Sequence, residues 1–258
     1  MSPEPIRECR VDALEVRVYR SQAEMALAAA AAAAGHLAAV LREQAGASVI
    51  LASATSQIQF LAALTGDRSI CWERVTVFHM DEYLGLAEDH PASFRRFLRE
   101  HVADRVRPGA VHYVGGDCLE PLKECARYAG LLRAQAVDLC CLGIGENGHL
   151  AFNDPPVADF SDPETMKLVR LDDACRRQQV GEGCFPSLQA VPQYAFTLTM
   201  PALCSARRIL GVVPERRKAE AVRRALRGPV APACPASWLR RQAQTTLYLD
   251  AEAASGLG

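Results

Sequence analysis

An excess of charge of either sign is missing from this chain, in which 29 Lys and Arg stand against 30 Asp and Glu over 258 residues. No global field therefore recruits nucleic acid or an anionic membrane surface, and a small-molecule partner is the expectation. Ten cysteines are present, yet no Cys-x-x-Cys pair occurs, and Cys71, Cys140 and Cys141 lie inside apolar runs. That scatter argues against a disulfide framework and for reduced thiols in a cytoplasm. Neighbours on a strand point to opposite faces, so Cys140 beside Cys141 is not metal spacing. Met1 to Cys9 lacks an apolar segment after a basic start, so no secretory signal is expected. The alanine-rich run from Met25 to Leu41 is weakly apolar, interrupted by Gly35 and His36, and too short for a typical membrane span. With no repeat and no dividing linker, and with half its residues hydrophobic, the chain reads as one α/β domain, 1–258.

Helix and strand signals alternate. Ser21 and Glu24 have capping-box spacing before an alanine-rich helix over about Gln22 to Gln44, with Gly46 as its stop. Ala47 to Ala52 reads as a buried strand, and Ser53-Ala54-Thr55-Ser56 leads from it into a helix carrying Ile58, Phe60, Leu61 and Leu64. Arg74 to His79 is the next strand, followed by Met80-Asp81-Glu82-Tyr83. Further expectations are helices over about Ala92 to Val102, Leu119 to Leu132, Asp173 to Gln179 and Glu215 to Arg227. Strands are expected at Val111 to Val114, Val137 to Cys141, Lys167 to Leu171, Gln193 to Thr199, Arg208 to Val213 and Thr245 to Asp250. Val157 to Thr165 reads as a loop, a candidate lid, and Ser255 to Gly258 as a loose tail. This βα order predicts a mainly parallel sheet with helices on both faces.

Three stretches bear chemistry. After the strand ending at Cys141 comes Gly143-Ile144-Gly145-Glu146-Asn147-Gly148-His149-Leu150-Ala151-Phe152-Asn153-Asp154-Pro155. Three glycines in six residues allow close backbone approach, and Asn147, His149 and Asp154 are proton-handling or hydrogen-bonding groups within seven positions. A glycine-rich turn with a solvated His is the alternative. Asp81 and Glu82 are adjacent acids at a strand tip, costly to bury unless paired or used; a solvated loop is the competing account. Ser53, Ala54, Thr55 and Ser56 form a strand–turn–helix whose free N–H groups suit a phosphate, although one hydroxyl acting only as N-cap accounts for the same pattern. Lys218, early in its helix, faces the strand ends or a solvated basic surface shared with Arg216 and Arg217.

Taken together, Phe78 to Leu86, Gly143 to Pro155, and Val191-Pro192-Gln193-Tyr194-Ala195 with Lys218 downstream resemble the glucosamine-6-phosphate deaminase (isomerase) family. The related 6-phosphogluconolactonases share the glycine-rich stretch but not the Met-Asp-Glu-Tyr segment. The resemblance implies a modified Rossmann-like three-layer α/β fold, shared with ribose-5-phosphate isomerase and CoA transferases, and an enzyme using neither cofactor nor metal. It implies Asp81 as the base moving a proton between C2 and C1, and His149, with Asn147 and Asp154, as the ring-opening group. Ser53 to Ser56, Lys218 and Arg176 or Arg177 would hold the phosphate. The implied reaction takes glucosamine 6-phosphate to fructose 6-phosphate and ammonia, classed as hydrolysis of a C–N bond, with homo-oligomerisation left open.

The chain departs from the family pattern at Ser53-Ala54-Thr55-Ser56, where glycines are usual, at Asn147, where Asp is common, and at Asp154, where Glu is common. Asn can orient a His but lends it no charge. A lactonase and a non-catalytic sugar-phosphate sensor are the alternatives these departures keep in play.

Overall fold

The computed structural model describes residues 2–258. Its frame is an eight-stranded sheet in the order β1 (Arg7–Val11), β2 (Leu14–Tyr19), β11 (Thr245–Asp250), β10 (Arg208–Val213), β7 (Leu139–Leu142), β3 (Ala47–Leu51), β4 (Val75–His79), β6 (Ala110–His112). Only β1 and β2 pair antiparallel; the other pairs are parallel. From β3 the chain first builds outward through β4 to β6, then returns to the other flank of β3 with β7, β10 and β11. Such a reversal of strand order opens a crevice beyond the strands' C-terminal ends.

The parallel strands are apolar on both faces because helices cover both. Ile50, Phe78, Cys140 and Leu142 face one core with Tyr128 of α5 (Pro121–Arg133) and Val222 of α8 (Ala219–Arg227). Val49, Leu51, Val77 and Cys141 face the other with α1 (Gln22–Glu43) and α2 (Ile58–Gly66). Cys140 and Cys141 thus lie in different cores, and all ten cysteines are free. Against the expectation from its length, α1 has 22 residues and is long and apolar enough to cross a membrane, but 56% of its most apolar stretch is buried inside the fold, with the small side chains of Ala29 and Ala33 turned inward.

Several local expectations need correction. Ser21 caps α1, accepting from Glu24 N at 3.2 Å, but the Glu24 carboxylate reaches Arg20 N rather than Ser21 N. The helix ends on extended Gln44, not on a left-handed Gly46. The helix expected over Ala92 to Val102 is split into α3 (Phe94–Leu98), a π-helical turn (Arg99–Ala103) and α4 (Asp104–Val106). The tail is not loose: it forms a 3-10 turn, Ser255–Leu257, with Leu257 buried. The β1–β2 hairpin went unread, although Leu14-Glu15-Val16-Arg17-Val18 alternates with period two. The sheet is not the only one: β5 (Asp81–Tyr83), β9 (Tyr194–Leu198) and β8 (Met166–Arg170) form a small antiparallel sheet. Two helices remain, α6 (Asp173–Gly181) and α7 (Met200–Cys204).

At the end of β4 the ladder is completed by a side chain. The Tyr128 hydroxyl accepts from His79 N at 3.0 Å and donates to His79 O at 2.7 Å, while His79 Nε2 accepts from Val114 N at 2.8 Å. Burial, reinforced by nearby Arg95, pushes the His79 pKa down to about 3, so the ring stays neutral and fit to accept. Tyr128→Phe is expected to cost about 1–3 kcal/mol in urea unfolding, because both backbone groups of His79 lose their partner in a dry core. A loss below a few tenths of a kcal/mol would show that this bridge does not hold the strand end.

Candidate active site

Four adjacent strands, β10, β7, β3 and β4, end at one cleft. β3 delivers Ser53 to Ser56, β4 delivers Asp81, β7 delivers Gly143, Gly145 and His149, and β10 delivers Lys218 through the turn that opens α8; all of these line it. The geometry therefore brings the three chemistry-bearing stretches together, at the reversal of strand order.

Asp81 and Glu82 divide the two roles that their adjacency left open. Asp81 lines the cleft. Glu82 has no exposed surface and accepts from Tyr83 N, Phe94 N, Arg95 N and Ser93 Oγ, with Arg95 Nε 3.4 Å away. The neighbours point apart because both sit on β5, where successive side chains alternate. Burial, and then the Glu82 charge beside it, hold the Asp81 carboxyl well above the usual carboxylate range. A solvated loop is not what forms here.

His149 is set by a tight turn in which Gly148 N donates to Gly145 O and Gly145 N to His149 O. Its ring lies flat against Gly145: a Cβ there would stand 2.1 Å from His149 Nε2. Nδ1 is 2.9 Å from Asp154 Oδ1, which leaves Nε2 for a ligand. Asn147 does not approach the cleft; its Nδ2 donates to Asp154 Oδ1 and its Oδ1 accepts from His149 N, both at 2.9 Å. Burial pushes Asp154 up, but His149, Asn147 and Asp172 N together outweigh it and hold the carboxyl below its ordinary pKa. Asp154, one methylene shorter than Glu, thus supplies the charge behind His149 that Asn147 cannot.

At the opposite end of the motif set, no hydroxyl caps the helix after β3. The N-cap position is Ala54, without a side-chain cap, so the N–H groups at the start of Thr55–Gln57 and α2 are not taken up by Ser or Thr. Ser53 Oγ is buried in the cleft wall without a partner. Lys218 is buried at the same cleft, not on a solvated face; burial lowers its pKa, and Glu182, 3.7 Å away, opposes that. An uncapped helix start, an orphan hydroxyl and a desolvated ammonium together have the chemistry to receive an anion.

Arg176 and Arg177 are not part of it. Arg176 donates to Leu188 O and Val191 O, and Arg177 lines a separate surface crevice with Glu146 and Asn147. Nor does the Val157 to Thr165 loop reach the cleft; Lys167 ties it down through Val157 O and Asp162 Oδ2. The end of α6 and the turn after it form that wall instead, with Gln178, Gln179, Glu182 and Cys184. The sequence offered no signal for this wall: it shows only a polar helix, and that Gln179 is buried on it appears only in the fold.

Residues 20–248 match the model of the family described as glucosamine-6-phosphate isomerases/6-phosphogluconolactonase. The chain belongs to this family. A glucosamine-6-phosphate deaminase of Exiguobacterium sibiricum is 35% identical over 216 residues, covering 84% of this chain and 83% of that one. A deaminase of the same name from Bacillus thuringiensis is 36% identical over 182 residues, 70% of this chain and 68% of that one. Among solved structures, a monomeric glucosamine-6-phosphate deaminase superposes with a TM-score of 0.85 at 28% identity, over 93% of this chain and 99% of that one. A 6-phosphogluconolactonase from Thermotoga maritima shares the fold, with a TM-score of 0.73 at 20% identity over 92% and 99% of the two chains.

In this member of the isomerase/lactonase family, the bare Cα of Gly145 seats the histidine. Gly145→Ala is expected to displace the His149 ring and lower kcat/KM at least about tenfold, the scale of a misplaced catalytic group, while thermal unfolding shifts little. Full activity in that variant would show that the ring's position against Gly145 is not needed.

Proposed function

We propose that this protein converts glucosamine 6-phosphate to fructose 6-phosphate and ammonia, with Asp81 as the base. The observation that carries the reading is the placement of Asp81, a desolvated carboxyl of raised pKa, in the same cleft as His149 and Lys218. Deaminase relatives matching most of the chain support it.

The pyranose must first open, and the His149 ring, with Asp154 behind it, is placed to move the proton between ring oxygen and O1. The open aldehyde makes the C2 proton weakly acidic. Asp81 takes that proton, the electrons passing into a C1–C2 double bond, and returns it to C1; the nitrogen at C2 becomes an imine. Water adds at C2, and ammonia leaves with the C–N electrons. The C–N bond thus breaks only after isomerisation, and the relatives' names do not support classing the reaction as simple hydrolysis. Lys218, Ser53 and the N–H groups before α2 bind the phosphate, which orients the sugar without taking part in bond making. Asn147 is a positioning residue, holding Asp154 and the His149 backbone.

A sensor that has lost its relay was suggested by Asn147 alone, and the Asp154–His149 contact removes that argument. Lactone hydrolysis needs no base at a C–H bond, and Asp81 would have no task in it. Ten free thiols favour a reducing compartment, and we place the protein in the cytoplasm.

Ammonia release from glucosamine 6-phosphate tests the reading. Asp81→Asn keeps shape but removes the base, so turnover should fall by about 10² to 10⁴ and solvent deuterium should no longer enter C1 or C2. Retained exchange would take Asp81 out of the mechanism. Because the carboxylate form is the active one and its pKa is raised, kcat/KM should fall as pH drops through a value above the ordinary carboxylate range of about 4. An acid limb at that ordinary value would contradict the desolvated setting. Lys218→Ala should raise KM about 10- to 100-fold, the worth of one charge-assisted contact; an unchanged KM would place the phosphate elsewhere.

A further inference from the structure

Apart from Asp81, one carboxylate lines the cleft among the described residues, and it sits at the end where an anion should bind. Glu182, the residue after α6, has a side chain only 5% exposed, as does Lys218. Its Oε1 accepts from Gln178 Nε2 at 2.8 Å and lies 3.0 Å from an Arg217 terminal nitrogen and 3.7 Å from Lys218 Nζ. Arg217 has other partners in Glu215 and Glu146, whereas Lys218 has an ion-pair contact with Glu182 alone. The cation is therefore already neutralised before any substrate arrives.

We propose that Glu182 is an internal competitor for the substrate's phosphate: its carboxylate occupies the Lys218 end of the empty cleft, and the phosphate binds by displacing it. This rests on Lys218 being the phosphate ligand. A phosphate brought against Lys218 would meet the Glu182 charge with little water to screen the two, and Arg217 offsets only part of that repulsion. Coexistence is therefore the costly arrangement, and exchange is the cheaper one. The backbone is built to permit exchange. Gly181 and Gly183 flank Glu182, no atom lies within 4 Å of where either Cβ would be, and Gly183 takes a φ of 76° that other residues rarely adopt. Moving the carboxylate away from Lys218 then asks for backbone freedom at these two glycines and for release of the Gln178 contact. Released from Lys218, it still has Arg217. Glu182 thereby lowers affinity for phosphate and sets how much phosphate charge is required to open the site.

Isothermal titration of the full chain with inorganic phosphate tests this. Glu182→Gln keeps size and the Gln178 contact but removes the competing charge, so phosphate should bind about tenfold more tightly, the scale of one charge-assisted contact. KM for glucosamine 6-phosphate should fall in step. Glu182→Ser, between its two glycines, should behave alike and serves if the Gln variant does not fold. Equal or weaker phosphate binding in both variants overturns the proposal and makes Glu182 an anchor of α6. Lys218→Ala separates the two levels: weakened phosphate binding there with no gain in Glu182→Gln sinks the competitor alone, whereas unaltered binding in Lys218→Ala sinks the phosphate assignment and the competitor with it.

Discussion

A carboxylate with no access to water, that of Glu82, has to find every one of its partners inside the protein, and the site is arranged around how it does so. Its donors come from Tyr83 on its own strand and from Ser93, Phe94 and Arg95 at the start of α3. A helix N-terminus suits a buried anion, because its leading N–H groups lack partners within the helix. Arg95 also reaches Asp117 at 2.8 Å and Leu86 O at 2.7 Å, so one charge pins β5, the following loop and α3 into a unit. With Glu82 fixed inward, the pleat leaves Asp81 facing the cleft. The same negative charge adds to burial in raising the pKa of Asp81, so the anchor of the local structure is also one of the forces that tune the cleft's carboxyl.

The small sheet follows from this arrangement. β5 pairs with β9, and Thr197 Oγ1 opposite Asp81 accepts from Phe152 N, which joins the histidine-bearing turn to the strand that carries Asp81. Tyr83, Phe94, Phe152 and Phe185 pack ring to ring beneath, giving the wall formed by α6 a foundation separate from the two cores of the main sheet. His149 and Asp81 therefore belong to one rigid assembly although their strands, β7 and β4, are not neighbours in the main sheet.

Legibility in the sequence tracked the reach of the physics involved. Continuous apolar runs such as Arg208 to Val213 mark strands buried on both faces, and a strand end followed by Gly, Ser or Asp marks where a ligand can approach; both are local signals. The second sheet was not legible, because its three strands come from distant segments and gain their stability only by pairing with one another and packing on Phe152 and Phe185. Arg176 and Arg177 look alike in sequence, as two cations near the motif, and only the fold shows one spent on Leu188 O and Val191 O and the other turned to a different crevice. Glu182 carried no signal in the sequence, because its place beside Lys218 in the cleft wall exists only in the fold; an acid set there is the kind of local inconsistency that gathers where function is.

One pairing described above bears on how the molecule comes into being. β2 forms its parallel ladder with β11, and Thr246 donates to Glu15 across 231 residues of intervening chain. β2 thus waits for a strand made far later, 231 residues on from Glu15 at Thr246, with its Leu14, Val16 and Val18 core face uncovered in the meantime. Non-local parallel pairing of this kind closes late and leaves nascent chains exposed to association. The β3–β4 pair, by contrast, has both strands available within the first third of the chain and can dock α1 and α2 early. Ribosome-bound intermediates should accordingly hold the Ser53 to Ser56 side of the crevice well before the sheet's outer half is sealed, and a chain halted between Val213 and Thr245 leaves both β2 and β10 as open edges that chaperones must shield.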